Sequence, residues 1–378
     1  MQAMTRFFRA RLFALKTLAL ALLVGAGVSG CSPIGVDSPL PSFAALDGGG
    51  AESSARIQQV FIASTRQGER GAAAEKASSD GVHYSLATLT LPPGHKSGAI
   101  EKPMWGSPNT RDHIVVQSVR ELDADEFHNE LASHISGRIG VNRDVLVYVH
   151  GYNTSFDDAR LTAAQIAADA KIGGVAVLFT WPSKAQLFGY VSDKDAAMAS
   201  RDALQQLFSD LSETPGVGKI HVLAHSMGGW LAIEALRQEA IAGKRGLDGR
   251  LGEVMLAAPD IDMDVFASQM AKLRPAHVTV FATNKDKALS ISSALAQSRQ
   301  RVGAIDPKNP VDRQKIESLG AKVYDLSDYA NGLIGHDAYG STPEVLTSIG
   351  AAVAAPRAED AGAMSILNAS DYSAKPDE

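Results

Sequence analysis

The chain has 378 residues, of which 45% are hydrophobic, and a formal net charge of -6. That length carries one large domain or two small ones, and the mild acidity argues against a general nucleic-acid binder. A single cysteine, Cys31, excludes an internal disulfide framework and a cysteine-rich zinc site, and no metal or cofactor is expected.

The N-terminus reads as a targeting segment. Arg6, Arg9, Arg11 and Lys16 are followed by an uncharged apolar run from Leu18 to Val28, then by Ser29, Gly30 and Cys31. This is the layout of a secretory signal peptide over 1–30. The run is short for a spanning helix, which needs about 20 apolar residues. "VSGC" resembles the bacterial lipobox, which implies cleavage before Cys31 and lipid attachment to it. An uncleaved anchor is the alternative. Ser32, where an aspartate would favour inner-membrane retention, implies a lipid-anchored protein of the outer membrane facing the periplasm. Residues 31–55 are rich in Pro, Gly, Ser and Ala without a period of 2 or 3.6, and are expected to form a flexible tether.

A folded domain is expected over 56–351. "RIQQVFIAST" and "VHYSLATLTL" predict two strands. "DVLVYVH" (Asp144 to His150) predicts a buried strand. "SFDDARLTAAQIAADA" predicts a helix with a Ser-x-x-Asp cap at Ser155 to Asp158. "VAVLFTW" is the next strand, stopped by Pro182. "DAAMASRDALQQLFSDL" predicts one helix with Met198, Leu204, Leu207, Phe208 and Leu211 on its apolar face. "KIHVLAH", "EVMLAAPD", "HVTVFAT" and "KVYDLSD" predict further strands. "MGGWLAIEALRQEAIA", "VFASQMAKL" and "ALSISSALAQ" predict the helices between them. Such near-continuous apolar strands alternating with helices predict a doubly wound, mostly parallel α/β sheet with helices on both faces. Its sites lie at the carboxyl ends of the strands. The Ala-, Ser- and Asp-rich tail, 352–378, is expected to be weakly ordered.

Ser226 stands between the strand "HVLA" and the helix "GGWLAIEAL". A serine there is either a nucleophile on a tight turn or an ordinary helix cap. "AHSMG" follows the Gly-x-Ser-x-Gly elbow with Ala224 for the first glycine. The turn is so sharp that small residues are needed two before and two after the serine. A serine hydroxyl needs a base. In α/β hydrolases the order is serine, acid, histidine. Only His277 and His336 follow Ser226, and His277 begins a strand at the wrong end of the sheet. His336, in a glycine-containing loop after the last strand, is the candidate. Asp286 after "HVTVFAT" is the preferred acid, and Asp260 after "AAPD" is the alternative. The oxyanion donors are expected to be the N–H groups of Met227 and of Tyr152 in "VHGYNTSF". His150 in that stretch is expected to pack beneath the site.

"YVHGYNTSFDDA", "FTWPS", "AHSMGG", "APDID", "ATNKDKALSIS" and the late "GH", with "VFIASTR" and "LTLPPGHKSG" before them, resemble a bacterial α/β-hydrolase family of unassigned function. Its members are often lipoproteins or secreted. The resemblance covers about Ile57 to Ile349. It implies the α/β-hydrolase fold and an esterase-like activity, with nucleophile, acid and histidine at Ser226, Asp286 and His336. Asp337 and Ala338 depart from the serine and aromatic common after that histidine. The expected function is carboxylic-ester hydrolysis of a small-molecule or lipid ester through an acyl-enzyme. A thioesterase or amidase would use the same residues. A non-catalytic envelope lipoprotein that keeps the fold as a binding module is the alternative of a different class.

Overall fold

The structure, a computed structural model, describes residues 55–66, 81–186, 189–273, 276–285, 300–329 and 338–355. Cys31, Asp286 and His336 lie outside these residues, as do the segment read as a tether and most of the tail.

Among the described residues nine strands form a single sheet: β1 (Arg56–Ser64), β2 (His83–Leu91), β3 (Val115–Leu122), β4 (Val145–Val149), β5 (Val175–Thr180), β6 (Ile220–His225), β7 (Leu251–Ala257), β8 (His277–Ala282) and β9 (Ala321–Asp325). Their spatial order is β3-β2-β1-β5-β4-β6-β7-β8-β9. The β1–β2 and β2–β3 pairs are antiparallel; every other neighbour is parallel. This is the doubly wound α/β sheet that the strand–helix alternation predicts.

Six helices are named here: α1 (Ala124–Ile135), α2 (Phe156–Asp169), α3 (Tyr190–Ala199), α4 (Arg201–Glu213), α5 (Met227–Ile241) and α6 (Met263–Leu273). β4, β5 and β6 are buried along their whole length, so their residues feed both faces of the sheet. Val145, Val147 and Val149 pack with Phe127 of α1, Phe208 of α4, Leu231 of α5 and Phe266 of α6. Leu146 and Tyr148, at the alternate positions, pack with Ala164 and Ile166 of α2 and with Leu346 and Ile349 of the helix Pro343–Val353. The period of two in each strand thus sorts one apolar run into two cores.

Local features differ from the sequence expectation. β3, α1 and the helices Pro310–Ser318 and Pro343–Val353 are present where no element is expected. The predicted helix around Met198 is two helices, broken at Ser200. Ser200 caps the end of α3 and the start of α4, and its hydroxyl is tied to Ala196 O (2.9 Å) and Thr65 Oγ1 (2.8 Å). The break changes the helical phase. Leu204, Leu207, Phe208 and Leu211 are buried, but Met198 is 46% exposed and Ala197 takes the inward position.

The loop after β2 is latched to α2 by His95. Its side chain is 1% exposed, with Nδ1 2.8 Å from Glu101 Oε2 and Nε2 2.9 Å from Asp169 Oδ1. Asp169 also accepts from Gly98 N (2.8 Å) and Gln165 Nε2 (2.7 Å). Burial works against the charged imidazole, yet the bonds to Asp169 and Glu101 outweigh it and the His95 pKa is raised. A raised folded-state pKa adds stability in full below the unfolded histidine value, about 6.5, and loses it as pH rises through the folded value. His95→Gln is therefore expected to cost about 1–3 kcal/mol near pH 6 and less at pH 9. Thermal unfolding of both proteins at the two pH values checks this. An equal penalty at both would mean that the folded imidazole is neutral.

Candidate active site

The parallel register aligns the carboxyl ends of the central strands. Val149 lies opposite Phe179 and Ala224, and Ala224 lies opposite Leu256. The residues that follow these strands therefore emerge along one edge. They are His150 to Tyr152 after β4, Trp181 after β5, Ser226 after β6 and Ala258 to Asp260 after β7.

Ser226 is not an ordinary helix cap. It has φ 52° and ψ -120°, a left-handed conformation that costs a non-glycine residue of order 1–3 kcal/mol. It occupies the N-cap position of α5, yet its side chain makes no capping hydrogen bond. The strain is held by the backbone. Ser226 N donates to Ala257 O (2.9 Å), and Ser226 O accepts from Gly229 N (3.0 Å) and Asp260 N (3.1 Å). The small residues have the expected reason. Ala224 is fully buried in the sheet. A Cβ on Gly228 would stand 2.2 Å from His150 O and 2.8 Å from Val149 O.

The loop after β4 presses against this turn. A Cβ on Gly151 would meet His225 Nδ1 at 2.6 Å and the Ser226 Cβ at 3.0 Å. Gly151 thus allows the backbone to pass beside Ser226, and Tyr152 is the next residue. Met227 opens α5, where a first-turn N–H has no acceptor within the helix and the dipole favours negative charge.

His150 is fully buried and stacked on Trp181, with ring centroids 5.1 Å apart. Its Nδ1 donates to Gly151 O (2.8 Å), and its Nε2 accepts from Trp181 N (3.2 Å). Trp181 Nε1 donates to His150 O (3.0 Å). Burial, reinforced by the Arg66 cation, drives its pKa well below the usual histidine range and keeps it neutral. The ring is part of the floor under the site, and so is Trp181.

Asp260 is buried beside Ser226. Its carboxylate accepts from Tyr190 Oη (2.8 Å) and lies 3.2 Å from Arg301 Nε. Tyr190 in turn meets the Tyr152 ring edge-on, with centroids 5.7 Å apart. His277 is at the start of β8, the amino end, where it faces Glu253. Asp286 follows Lys285 directly, beyond the end of β8, and is not described. Neither is His336, but Tyr339, three residues on, is. Tyr339 packs on His225 at a ring distance of 4.6 Å and shares a 2.8 Å hydrogen bond with Tyr148 Oη. Tyr339 is thus anchored against His225, the residue preceding Ser226.

Sequence reasoning passed over Arg66, Ser183 and Asp193. Arg66 stands at the end of β1 and donates from Nε to Thr180 Oγ1 (2.9 Å), from Nη1 to Ser183 O (3.1 Å) and from Nη2 to Thr154 O (2.9 Å). A cation placed two residues after the apolar end of a strand, in "VFIASTR", is the signal that could have marked it. Among the described residues no cluster of three His, Cys, Asp or Glu side chains could hold a metal ion, and no helix is long and apolar enough to cross a membrane.

Residues 123–355, more than half of the chain, match the family described as "Alpha/beta hydrolase of unknown function (DUF900)". The chain belongs to that family. Its nine-stranded sheet, with the strained serine after β6, is the α/β-hydrolase fold. In a matched stretch that covers 25% of this chain and 32% of the relative, the chain is 30% identical to the uncharacterized protein alr1448 of Nostoc sp. (strain PCC 7120). The chain therefore spans about a third of that relative's length. Solved structures are more distant. A predicted CIB-like hydrolase from Thermoplasma acidophilum is 15% identical, covering 78% of this chain and 96% of its own, with a TM-score of 0.36. An esterase from Pyrobaculum calidifontis is 13% identical over 79% and 84%, with a TM-score of 0.35. Brefeldin A esterase, a bacterial homologue of human hormone sensitive lipase, is 14% identical over 82% and 78%, with a TM-score of 0.39. Likeness at this level carries no argument about substrate.

Proposed function

We propose that this hydrolase is a serine esterase with Ser226 as nucleophile, His336 as base and Asp286 as the acid that orients the histidine. The observation that carries the proposal is the conformation of Ser226. A buried serine is held at positive φ at a strand–helix junction, leaves the helix uncapped, and has the Gly151 backbone against its Cβ. Strain of this kind persists where the surroundings enforce it, and it aims the hydroxyl above the sheet.

In the proposed reaction Ser226 Oγ attacks the ester carbonyl carbon while His336 accepts the hydroxyl proton. The carbonyl oxygen becomes an oxyanion facing the N–H groups of Tyr152 and Met227. Collapse expels the alcohol, which takes the proton from His336. Water then enters by the same route and releases the acid. Asp260 is the less suited acid, because its carboxylate already serves Tyr190 and Arg301. A thioester would react through the same steps. In keeping with the signal-like N-terminus, we also propose that Cys31 carries the lipid that holds the enzyme at the envelope.

The test is covalent labelling of the full-length protein with a fluorophosphonate, followed by peptide mapping. The expected result is one labelled peptide containing Ser226, with labelling slowed at least about 10²-fold in His336→Ala. Folded wild-type protein that takes no label, or that is labelled elsewhere, would overturn the reading and leave the binding-module alternative.

A further inference from the structure

Arg66 is 4% exposed, and its guanidinium reaches three segments at once: Thr180 at the end of β5, Ser183 beyond it, and the β4–α2 loop at Thr154. Nη2 also lies 3.4 Å from His150 Nε2. Burying an arginine is costly, and here its charge has a purpose only if the groups it holds matter. The nearby counter-charge is Asp193, fully buried in the first turn of α3. Asp193 does not grip Arg66 directly. Its Oδ2 accepts from Ser183 Oγ (2.6 Å) and from Asn153 N (3.5 Å), and its Oδ1 from Lys184 N (2.9 Å). Burial lowers the Arg66 pKa to about 10, with Asp193 opposing the fall, so the guanidinium stays charged at neutral pH.

These bonds converge on one short stretch. Thr154 is held at both ends of its backbone: its N–H donates to Ser183 Oγ (3.1 Å) and its C=O accepts from Arg66. Asn153, just before it, has φ 58°, a left-handed conformation that asparagine adopts more readily than most residues. Its N–H points to Asp193. The residue before that is Tyr152, and before that is Gly151 against Ser226. The arginine and the aspartate thus clamp the turn from opposite ends of its peptide dipoles, one through carbonyl and one through amide.

We propose that Arg66 is a positioning residue which, with Asp193 and Ser183, sets the Tyr152 peptide so that its N–H meets the oxyanion formed on Ser226. The proposal rests on the serine-esterase reading. Arg66 touches no reacting atom in it. Its effect belongs to the transition state, because the acyl oxygen gains charge only there.

The experiment uses full-length wild type, Arg66→Ala, Arg66→Lys and Ser183→Ala with a p-nitrophenyl ester. For Arg66→Ala the expected result is a kcat lower by about 10²–10³-fold, the loss typical of one oxyanion donor, with KM changed by less than about threefold. Arg66→Lys is expected to recover little, since one ammonium cannot span Thr180, Ser183 and Thr154. Millimolar guanidinium is expected to restore part of the Arg66→Ala rate, an effect that a merely stabilising arginine would not show. Amide exchange at Gly151 to Ser155 is expected to rise in Arg66→Ala and, by less, in Ser183→Ala. If Arg66→Ala does not fold, Ser183→Ala carries the test, with about a tenfold loss in kcat expected from removing the hydroxyl that bonds both Thr154 N and Asp193. An active wild type whose variants keep kcat within about threefold and merely melt earlier would overturn the positioning role alone. A wild type that neither labels nor turns over would overturn the esterase reading, and this proposal with it.

Discussion

Ser226→Ala is expected to lower kcat/KM for an ester by at least about 10⁴-fold without changing the melting temperature, whereas Ser226→Gly is expected to be equally inactive and to melt higher. The two differ because of the backbone. Alanine keeps a Cβ at φ 52° and so keeps the strain. Glycine removes it, offset in part by the greater freedom of the unfolded glycine chain. A net gain of about 1 kcal/mol corresponds to about 2–4 °C in a domain of this size class. Steady-state kinetics and thermal unfolding on the three proteins check both halves. Residual activity above about 1% in Ser226→Ala would remove the nucleophile assignment. Equal melting of the alanine and glycine variants would show that the turn stores no strain.

Gly228→Ala is expected to cost about 3 kcal/mol of stability and to reduce kcat by about 10²-fold in the protein that remains folded. An alanine in a helix is ordinarily worth up to about 1 kcal/mol over glycine. Here the added Cβ would lie 2.2 Å from the carbonyl oxygen of His150, and a main-chain atom cannot swing aside as a side-chain end can. Either α5 or the end of β4 must move, and these carry the two candidate oxyanion donors. Gly229→Ala is the graded control. Its Cβ would meet a Pro259 side-chain carbon at 3.2 Å, a contact that a few tenths of an ångström relieves. Denaturant unfolding of the pair checks the ranking. A Gly228→Ala protein as stable as Gly229→Ala would mean that the elbow is looser than its contacts indicate.

The parallel part of the fold was legible because its central strands are apolar runs set off by turn residues, as "VLVYV" and "IHVLAH" are. β3 was not legible because it is the sheet's edge strand: in "VVQSVREL" only Leu122 is buried, so burial writes little on its sequence. α1 did leave a mark, the reciprocal cap of Asp123 and Glu126, which periodicity alone does not find. The Met198 expectation failed because Ser200 is bonded to Thr65, a partner distant in sequence, and this breaks the helical phase. The elbow was legible from Ala224, Ser226 and Gly228. The clamp behind it was not, because its members come from β1, the β4–α2 loop, the segment after β5 and α3. No local pattern unites Arg66 with Thr154, Ser183 and Asp193.

The place of β1 bears on where this molecule can be cut. The stretch matched by the family begins at residue 123, after β1, β2 and β3. Yet β1 is an interior strand, paired with β5 from Val60↔Ala176 to Ser64↔Thr180. A fragment starting at 123 would expose the Val175–Thr180 edge, six buried residues in a row with unsatisfied main-chain groups, and would lose Arg66 as well. The homology boundary is therefore not a folding boundary. The matched stretch begins inside the sheet, and a fragment that keeps β5 paired on both sides must retain β1.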